Sequence, residues 1–209
     1  MKTLSIKLSV IAIFLIPLSA HALFEARATY GIQTAKTTAT DLCTGSCAAP
    51  ANAPSLLGLG GFGADVIITP PLFPIGFGVR YENMSISPSV NNFSAEFKAT
   101  RTAVIVNYRL IDTIIHFGPI LTYGISHSGS ANVKENGVTR IDFSTSKASS
   151  FSAGLELGVK PLIVIPITIG VEAGYLGYKW DDVTNSVDGT TKSLDLSGTY
   201  YKIFLGLSI

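Results

Sequence analysis

The chain has 209 residues, and its composition is unusual for a soluble domain. Charged residues make up 14% and hydrophobic residues 47%, whereas a soluble domain carries roughly 25% charged residues. In water, so few charges would leave large apolar patches exposed, and the same apolar content excludes a disordered chain. The formal net charge is +1 and no basic cluster occurs, so nucleic-acid binding has no electrostatic support.

The first 22 residues have the three parts of a secretory signal peptide. Lys2 and Lys7 form a basic region, residues 8–18 are apolar, and residues 20–22 form an A-x-A cleavage motif. The apolar run is shorter than the roughly 18–20 residues that a membrane-spanning helix needs. We therefore predict a signal peptide over residues 1–22 and a single mature domain over residues 23–209.

The mature sequence alternates between apolar and polar residues in eight segments, a pattern typical of β-strands with two different faces. The most apolar later stretch, residues 162–171, is short and contains Pro166, so no second helical span is predicted. Strands can cross a membrane only as a closed barrel, because an open sheet leaves unpaired backbone groups in hydrocarbon. We predict an all-β fold, an eight-stranded antiparallel up-and-down transmembrane β-barrel. Its segments are residues 24–33, 57–68, 75–82, 101–108, 115–126, 150–157, 165–175 and 200–209.

Charged residues within these segments fall on the face opposite the bulky apolar residues. An Arg or Lys that faces lipid at the bilayer midplane costs about 2–4 kcal/mol, so this face should line the lumen. A soluble β-sandwich also alternates, but its polar face meets water and need not be as glycine-rich as this one. The lumen residues are predicted to be Glu25, Arg27, Asp65, Arg80, Glu82, Arg101, Glu156, Glu172 and Lys202.

The interior of an eight-stranded barrel holds little more than its own side chains. Buried charges must pair there, because an unpaired buried ion costs several kcal/mol. We expect an ion-pair plug in which Arg101 reaches Glu82 from the neighbouring strand. A gate whose pairs exchange to open a narrow conductance is the alternative. His116 is predicted to be a further polar residue of the lumen.

The connections between segments alternate between long and short, as in barrels whose long loops face the cell exterior. The long ones are residues 35–56, 85–95, 127–142 and 179–193, and the short ones are residues 69–74, 110–113 and 159–163. Glu96 and Lys98 oppose the alternation, and Pro119 removes a backbone donor, so a β-bulge is expected at each place. Aromatic girdles at the two interfaces are predicted from Phe73, Tyr108, Tyr123, Phe143, Tyr178, Trp180 and Tyr200.

The remaining chemistry-bearing residues favour no enzyme. The only histidines of the mature chain are His116 and His127. No acidic residue is spaced to orient His127 as a catalytic base. No catalytic residue is therefore predicted. Cys43 and Cys47 share the first long connection and predict a local disulfide in an exported protein. A metal site would need more ligands than these, so we predict no metal and no cofactor.

The last ten residues, YYKIFLGLSI, are similar to the signal that outer-membrane barrels present to the barrel-assembly machinery, although they end in Ile209 rather than Phe. Together with the eight alternating segments, they make the chain resemble the small eight-stranded outer-membrane barrels typified by the OmpA transmembrane domain, OmpW and OmpX. A looser resemblance is to the porin-like, lipid-trapping barrels of predatory bacteria. The resemblance implies a bacterial outer-membrane location, with membrane lipids and the assembly machinery as partners.

The expected role is structural: the barrel would support outer-membrane integrity and display its surface loops. The alternative is a narrow porin, or a lipid-binding barrel that self-associates into a homo-oligomeric ring. Small outward residues permit close approach between membrane segments. They are Ala26, Ala28, Ala64, Ala153 and Ala173.

Overall fold

The computed structural model describes residues 24–38, 55–71, 73–90, 92–161 and 166–208. The predicted signal peptide and the predicted Cys43–Cys47 disulfide lie outside these ranges. No helix within them has the length and apolarity needed to cross a membrane. The strands are β1 (Phe24–Thr38), β2 (Ser55–Ile68), β3 (Ile75–Ile86), β4 (Ser89–Val90), β5 (Phe93–Tyr108), β6 (Ile111–Asp112), β7 (Ile115–Glu135), β8 (Val138–Thr145), β9 (Ala148–Val159), β10 (Ile167–Thr184), β11 (Thr191–Asp195) and β12 (Gly198–Ser208).

Eight long strands form a closed antiparallel ring in the order β5-β3-β2-β1-β12-β10-β9-β7, and the β5–β7 pairing closes it. The four short strands are additions to this ring: β4 pairs with β5, β6 and β8 with β7, and β11 with β10. The predicted eight-stranded up-and-down barrel is therefore confirmed. Closure leaves no sheet edge in the membrane, which is the condition for strands to span it.

The outward side chains of the ring form an apolar belt. On β1 the belt covers residues 24–32, nine residues, which matches the roughly 9–11 that a tilted strand needs to cross a bilayer. The outward positions within the belt carry no charge. They are the even residues of 24–32, 62–68 and 102–108, and the odd residues of 75–81, 115–125, 151–159, 167–175 and 201–207.

Beyond the belt, the strands continue as an extracellular extension with the opposite polarity. On β5, Phe93 and Phe97 are buried, while Glu96 and Lys98 face outward and form an ion pair of 2.6 Å. The expected β-bulge near Glu96 is wrong, because the alternation of β5 runs unbroken from Phe93 to Asn107. Apolar side chains face outward only where the barrel is surrounded by lipid. The extension is surrounded by water, so its outward side chains are polar.

Two of the predicted long connections are largely strand. β8 and β9 run in the same direction against β7, so they are one descending strand interrupted at residues 146–147. β11 and β12 stand in the same relation to β10, with the interruption at residues 196–197. The β7–β8 hairpin turns at Asn136 and Gly137, whose φ angles are 53° and 78°. An Asn-Gly pair with two positive φ angles is the usual sequence signal for such a hairpin.

One bulge of the ring is on β7, and the β1–β2 ladder has further register shifts at Thr34. Thr102 pairs with Ser126 and Ala103 with Gly124, so Ile125 has no partner on β5. The expected bulge at Pro119 is wrong, because the β7–β9 register passes through Pro119 without a shift. The β5–β7 ladder ends at Asn107 and Ile120, so this ladder does not need the backbone donor that a proline lacks.

The predicted aromatic girdles are partly wrong. Phe73 and Tyr123 are exposed, as is Tyr108, but four of the seven residues are buried inside the barrel, with exposed fractions of 0–1%. These four are Phe143, Tyr178, Trp180 and Tyr200. The exposed aromatic residues at the extracellular edge of the belt are instead Tyr30, Phe62, Tyr81, Tyr123, Phe151, Tyr175 and Tyr201.

Candidate functional site in the barrel lumen

The structure places all nine predicted charged residues in the lumen. Eight are buried, and the ninth, Lys202, has a side chain that is only 9% exposed. They form three layers along the barrel axis, which we call the periplasmic, middle and upper layers. Each layer connects strands that are not neighbours in the ring, so the contacts cross the lumen as well as following its wall.

The periplasmic layer is centred on Arg27. Its Nη1 donates to Glu156 Oε2 at 2.7 Å across the lumen, and its Nε lies 3.0 Å from Glu25 Oε1 on the same strand. Asn107 Nδ2 donates to the other oxygen of Glu156 at 2.8 Å. Charged and hydrogen-bonded partners therefore compensate the burial of these two carboxylates.

Three residues that sequence reasoning missed complete this layer. Arg109 contacts Glu25 and donates from Nη1 to Asp112 Oδ2 at 3.1 Å, and Lys160 Nζ donates to Asp112 Oδ1 at 2.8 Å. The sequence did contain a signal for Arg109. Arg109 lies two residues after the inward-facing Asn107, so the alternation of the strand predicts that it also faces inward. Asp112 lies in the predicted short connection of residues 110–113. A connection has no period-two pattern, so the sequence does not show that this side chain points inward.

The middle layer is a single arginine between two carboxylates. Arg80 donates from Nε and Nη2 to the two oxygens of Asp65 at 2.8 and 2.7 Å. It also donates from Nη1 and Nη2 to Glu172 at 2.9 and 2.7 Å, and the Tyr200 hydroxyl donates to the same carboxylate at 2.7 Å. Planar, two-point pairing on both sides fixes the guanidinium in one orientation.

The upper layer pairs Glu82 with two cations. Lys202 contacts Glu82 from across the lumen, and Arg101 Nη1 lies 3.3 Å from Glu82 Oε2, the pairing that the sequence predicted. Arg101 also donates to the hydroxyl of Thr122, which in turn lies 2.6 Å from Ser152 Oγ. The layer thus extends from β12 through β3 and β5 to β9.

Charges in the lumen balance. In the periplasmic layer, the carboxylates of Glu25, Asp112 and Glu156 face the cations of Arg27, Arg109 and Lys160, three against three. The middle and upper layers together again place three carboxylates against three cations. These are Asp65, Glu82 and Glu172 against Arg80, Arg101 and Lys202. Among the described residues the lumen therefore offers no excess charge to attract an ion.

An apolar core fills the lumen above the upper layer. Trp180 is fully buried and stacks on Phe97, with ring centroids 5.1 Å apart and an interplanar angle of 20°. Tyr178 packs edge-on against Trp180 at 6.3 Å. Gly129 lies flat against the Trp180 ring, so a Cβ there would overlap it. Further members of the core include Leu59, Met84, Ile141, Phe143, Leu176, Val183, Leu194 and Leu196.

Little space remains between the core and the upper layer. The cavity lined by Thr29, Gln33, Glu82, Tyr200 and Lys202 has a volume of about 20 Å³. A cavity of roughly 10–15 Å³ on this scale holds one water molecule. This cavity therefore has room for one water molecule.

The two histidines lie in different surroundings. His116 is fully buried next to the periplasmic layer, with its ring 6.0 Å from that of Phe204. His127 Nε2 lies 2.8 Å from Ser150 Oγ, on the neighbouring strand. Ser150 is buried on the inner face of the barrel, so this pair faces the lumen and not the cell exterior. In the described part of the chain, no group of three or more His, Cys, Asp or Glu residues is arranged to hold a metal ion.

Comparisons with known proteins concern the fold alone. No family model and no curated protein matches the sequence. A major outer membrane protein from Thermus thermophilus superposes with a TM-score of 0.52 at 7% identity, covering 89% of this chain and 99% of that one. Ail of Yersinia pestis, solved in complex with the heparin analogue sucrose octasulfate, superposes with a TM-score of 0.51 at 14% identity. That match covers 90% of this chain and 97% of Ail. The chain has the fold of the small eight-stranded outer-membrane β-barrels, and its apolar belt agrees with a location in a bacterial outer membrane, as predicted.

Proposed function

We propose that this protein is a closed outer-membrane barrel that stabilises the membrane it occupies and displays a structured extension at the cell surface. The observation that carries the proposal is the succession of two kinds of side-chain packing along one lumen. Three charge-paired layers lie in the membrane-spanning part, and an apolar core lies in the extension above them.

The charged layers oppose the passage of ions and solutes because they bind the barrel walls to each other. Arg80 on β3 holds Glu172 on β10, and these strands stand opposite one another in the ring. A passing ion would have to displace such a pair. Removing one partner of a buried pair typically costs about 3–5 kcal/mol. The pairs therefore act as fixed cross-links of the lumen.

The apolar core adds a seal of another kind. Trp180 and Phe97 stack across the lumen of the extension, and they are buried among other apolar side chains. Apolar packing at native density leaves no continuous path for water. A hydrated ion that passed the charged layers would still meet this barrier.

The extension is rigid enough to present a defined surface. Asn185 Oδ1 accepts hydrogen bonds from the backbone of Asp142 at 3.1 Å and Val187 at 3.2 Å, which ties the β7–β8 hairpin to the β10–β11 turn. Its amide also donates to the Arg140 carbonyl. Surface loops held by a scaffold in this way are suited to recognition, which supports the display role.

The other roles considered from the sequence have less support. A catalytic role would need an accessible nucleophile, but the hydroxyl next to His127 belongs to the buried Ser150. Self-association remains a prediction: Ala28 lies beside Ala64 in the β1–β2 ladder and forms a flat outward patch. A lipid can cover such a patch as well as another barrel can.

Single-channel recordings in planar bilayers test the closed lumen. The parent protein should give no unitary currents. Neither should a variant that opens only the middle layer, Arg80→Ser with Glu172→Ser, or only the apolar core, Phe97→Ala with Trp180→Ala. The variant that combines all four substitutions with Arg27→Ser, Glu156→Ser, Glu82→Ser and Lys202→Ser lacks the cross-lumen pairs of all three layers as well as the core, and it should conduct. Arg140→Ser, which removes a cation from the exposed pair with Glu135, is the control and should stay silent. Steady currents in the parent that disappear in Arg101→Ala would instead favour a gate.

A further inference from the structure

A groove of about 460 Å³ lies on the outside of the barrel, at the extracellular edge of the apolar belt. It extends across β7, β9, β10, β11 and β1, which are next to one another on one side of the molecule. Its membrane-facing wall is aromatic and its upper rim carries charged and hydroxyl groups. This combination of an apolar lower wall and a polar upper rim is what a lipid meets at the level of its headgroup.

The lower wall is an aromatic shelf of Tyr123, Phe151 and Tyr175. Phe151 is 54% exposed, and its ring lies 6.5 Å from that of Tyr175. Gly177 is the residue next to Phe151 across the β9–β10 ladder, and the Phe151 ring occupies the space where a Gly177 side chain would be. Because Gly177 has no side chain, the Phe151 ring can lie over the neighbouring strand and form part of the shelf.

Below the shelf, the outward surface is flat. Ala153 pairs with Tyr175, and Ala173 pairs with Leu155, so small side chains alternate with large ones directly beneath the groove. Acyl chains pack against such a surface without displacing protein atoms. The apolar path therefore continues from the groove into the belt.

The rim carries two ammonium groups and one carboxylate. Lys36 Nζ lies 3.9 Å from Asp195 Oδ2, and Lys179 faces Asp195 directly across the β10–β11 ladder. The Lys36 side chain is 63% exposed, so its ammonium can reach a ligand in the groove. The rim has a net charge of +1, and the hydroxyl group of the exposed Ser149 adds a hydrogen-bond donor beside it.

We infer that this groove binds the phosphorylated headgroup of an outer-leaflet lipid. The phosphate would lie between Lys36 and Lys179, and the acyl chains would descend over the aromatic shelf. Cations attract anionic headgroups at the membrane surface, and aromatic rings favour the same interfacial depth. The inference rests on the proposed membrane placement of the barrel but not on the closure of its lumen.

Native mass spectrometry of the full folded barrel tests the inference. The protein is released from detergent micelles that contain lipid A, a glycolipid with phosphate monoesters, or the same lipid after dephosphorylation. The parent should retain the phosphorylated lipid. Lys36→Gln and Lys179→Gln should each weaken retention about fivefold, the factor that one basic residue near an anionic surface contributes. The double variant should retain the phosphorylated lipid only as well as the parent retains the dephosphorylated one.

Two further variants make the test specific. Lys98→Gln removes an exposed lysine of β5 that does not line the groove, and it should leave retention unchanged. Asp195→Asn removes the carboxylate of the rim but keeps the oxygen that accepts from the Ser197 backbone, and it should strengthen retention. Equal retention in the parent and in the Lys36→Gln/Lys179→Gln variant, or an equal loss in Lys98→Gln, would overturn the inference. Neither result would bear on the bilayer recordings, so the two proposals fail separately.

Discussion

Arg80 shows how much a single lumen residue determines. It is fully buried, and five hydrogen-bonding contacts of the middle layer depend on its guanidinium or on the Glu172 carboxylate that it holds. No other cation of the lumen lies between two carboxylates with two-point pairing on both sides, among the residues that the structure describes. The orientation of β2, β3 and β10 around the lumen therefore depends on this side chain.

Replacing Arg80 with Met should destabilise the barrel by about 3–5 kcal/mol, because it leaves Asp65 and Glu172 buried without their cation. Urea unfolding of the protein in lipid vesicles measures the change in the free energy of unfolding. Lys98→Met is the matched control, since it removes a cation from an exposed pair and should cost no more than about 1 kcal/mol. Equal destabilisation by both substitutions would mean that the middle layer does not hold the barrel together.

Trp180 reports on the apolar core because it is the only tryptophan in the chain. Its burial in the lumen predicts a blue-shifted fluorescence maximum, and acyl chains carrying bromine should not quench it. Gly129→Val should shift the maximum to the red, since the new side chain would displace the ring. Ser128→Val on the outer face of the same strand should not. Strong quenching by brominated lipid in the parent would place Trp180 in an interfacial girdle instead.

At the scale of single strands, the position of the belt is directly testable. Val79 and Asn83 both face outward on β3, but Val79 lies within the belt between Val66 and Val104, and Asn83 lies at its extracellular edge. Val79→Arg should cost about 2–4 kcal/mol and Asn83→Arg about 0–1 kcal/mol, following the depth dependence of a lipid-facing arginine. The same unfolding measurement compares them. A larger cost at Asn83 would show that the belt lies higher on the barrel.

The strand pattern could be predicted wherever one environment lies on each side of the sheet. Residues 102–108 alternate as lipid-facing strands do, and the structure confirms their outward face. Residues 93–99 of the same strand lie outside the predicted segments, because apolar residues there point inward and the lipid-based rule does not apply. The Asn136–Gly137 pair is a usable hairpin signal inside a stretch that the alternation of lengths predicts to be a long connection.

The membership of the lumen could also be predicted, but most partners within it could not. The alternation of inward and outward residues is a local property of each strand. It is therefore enough to predict that Arg80 and Glu172 each face the lumen. Their pairing joins residues 92 positions apart, and it depends on the stagger of strands in the closed barrel. A single sequence contains no information on that stagger. Pairs on neighbouring strands are the exception: Arg101 with Glu82, which the sequence predicted, and Asp65 with Arg80, which it could have predicted on the same ground.

On the scale of the whole molecule, the barrel combines two kinds of protein interior in one continuous sheet. Its membrane part is polar inside and apolar outside, whereas its extension is apolar inside and polar outside. The change of polarity follows the change of solvent along the same strands. One set of strands therefore supplies both the membrane anchor and the surface structure.

The central claim is that this sheet encloses no open passage, and solute uptake by liposomes tests it most directly. Proteoliposomes that contain the parent protein should swell in isosmotic arabinose no faster than liposomes without protein. The variant that lacks both seals should swell measurably in the same medium, which shows that inserted barrels would have been detected. Swelling by the parent protein, at a rate that falls as the solute grows from arabinose to stachyose, would contradict the account and identify a pore.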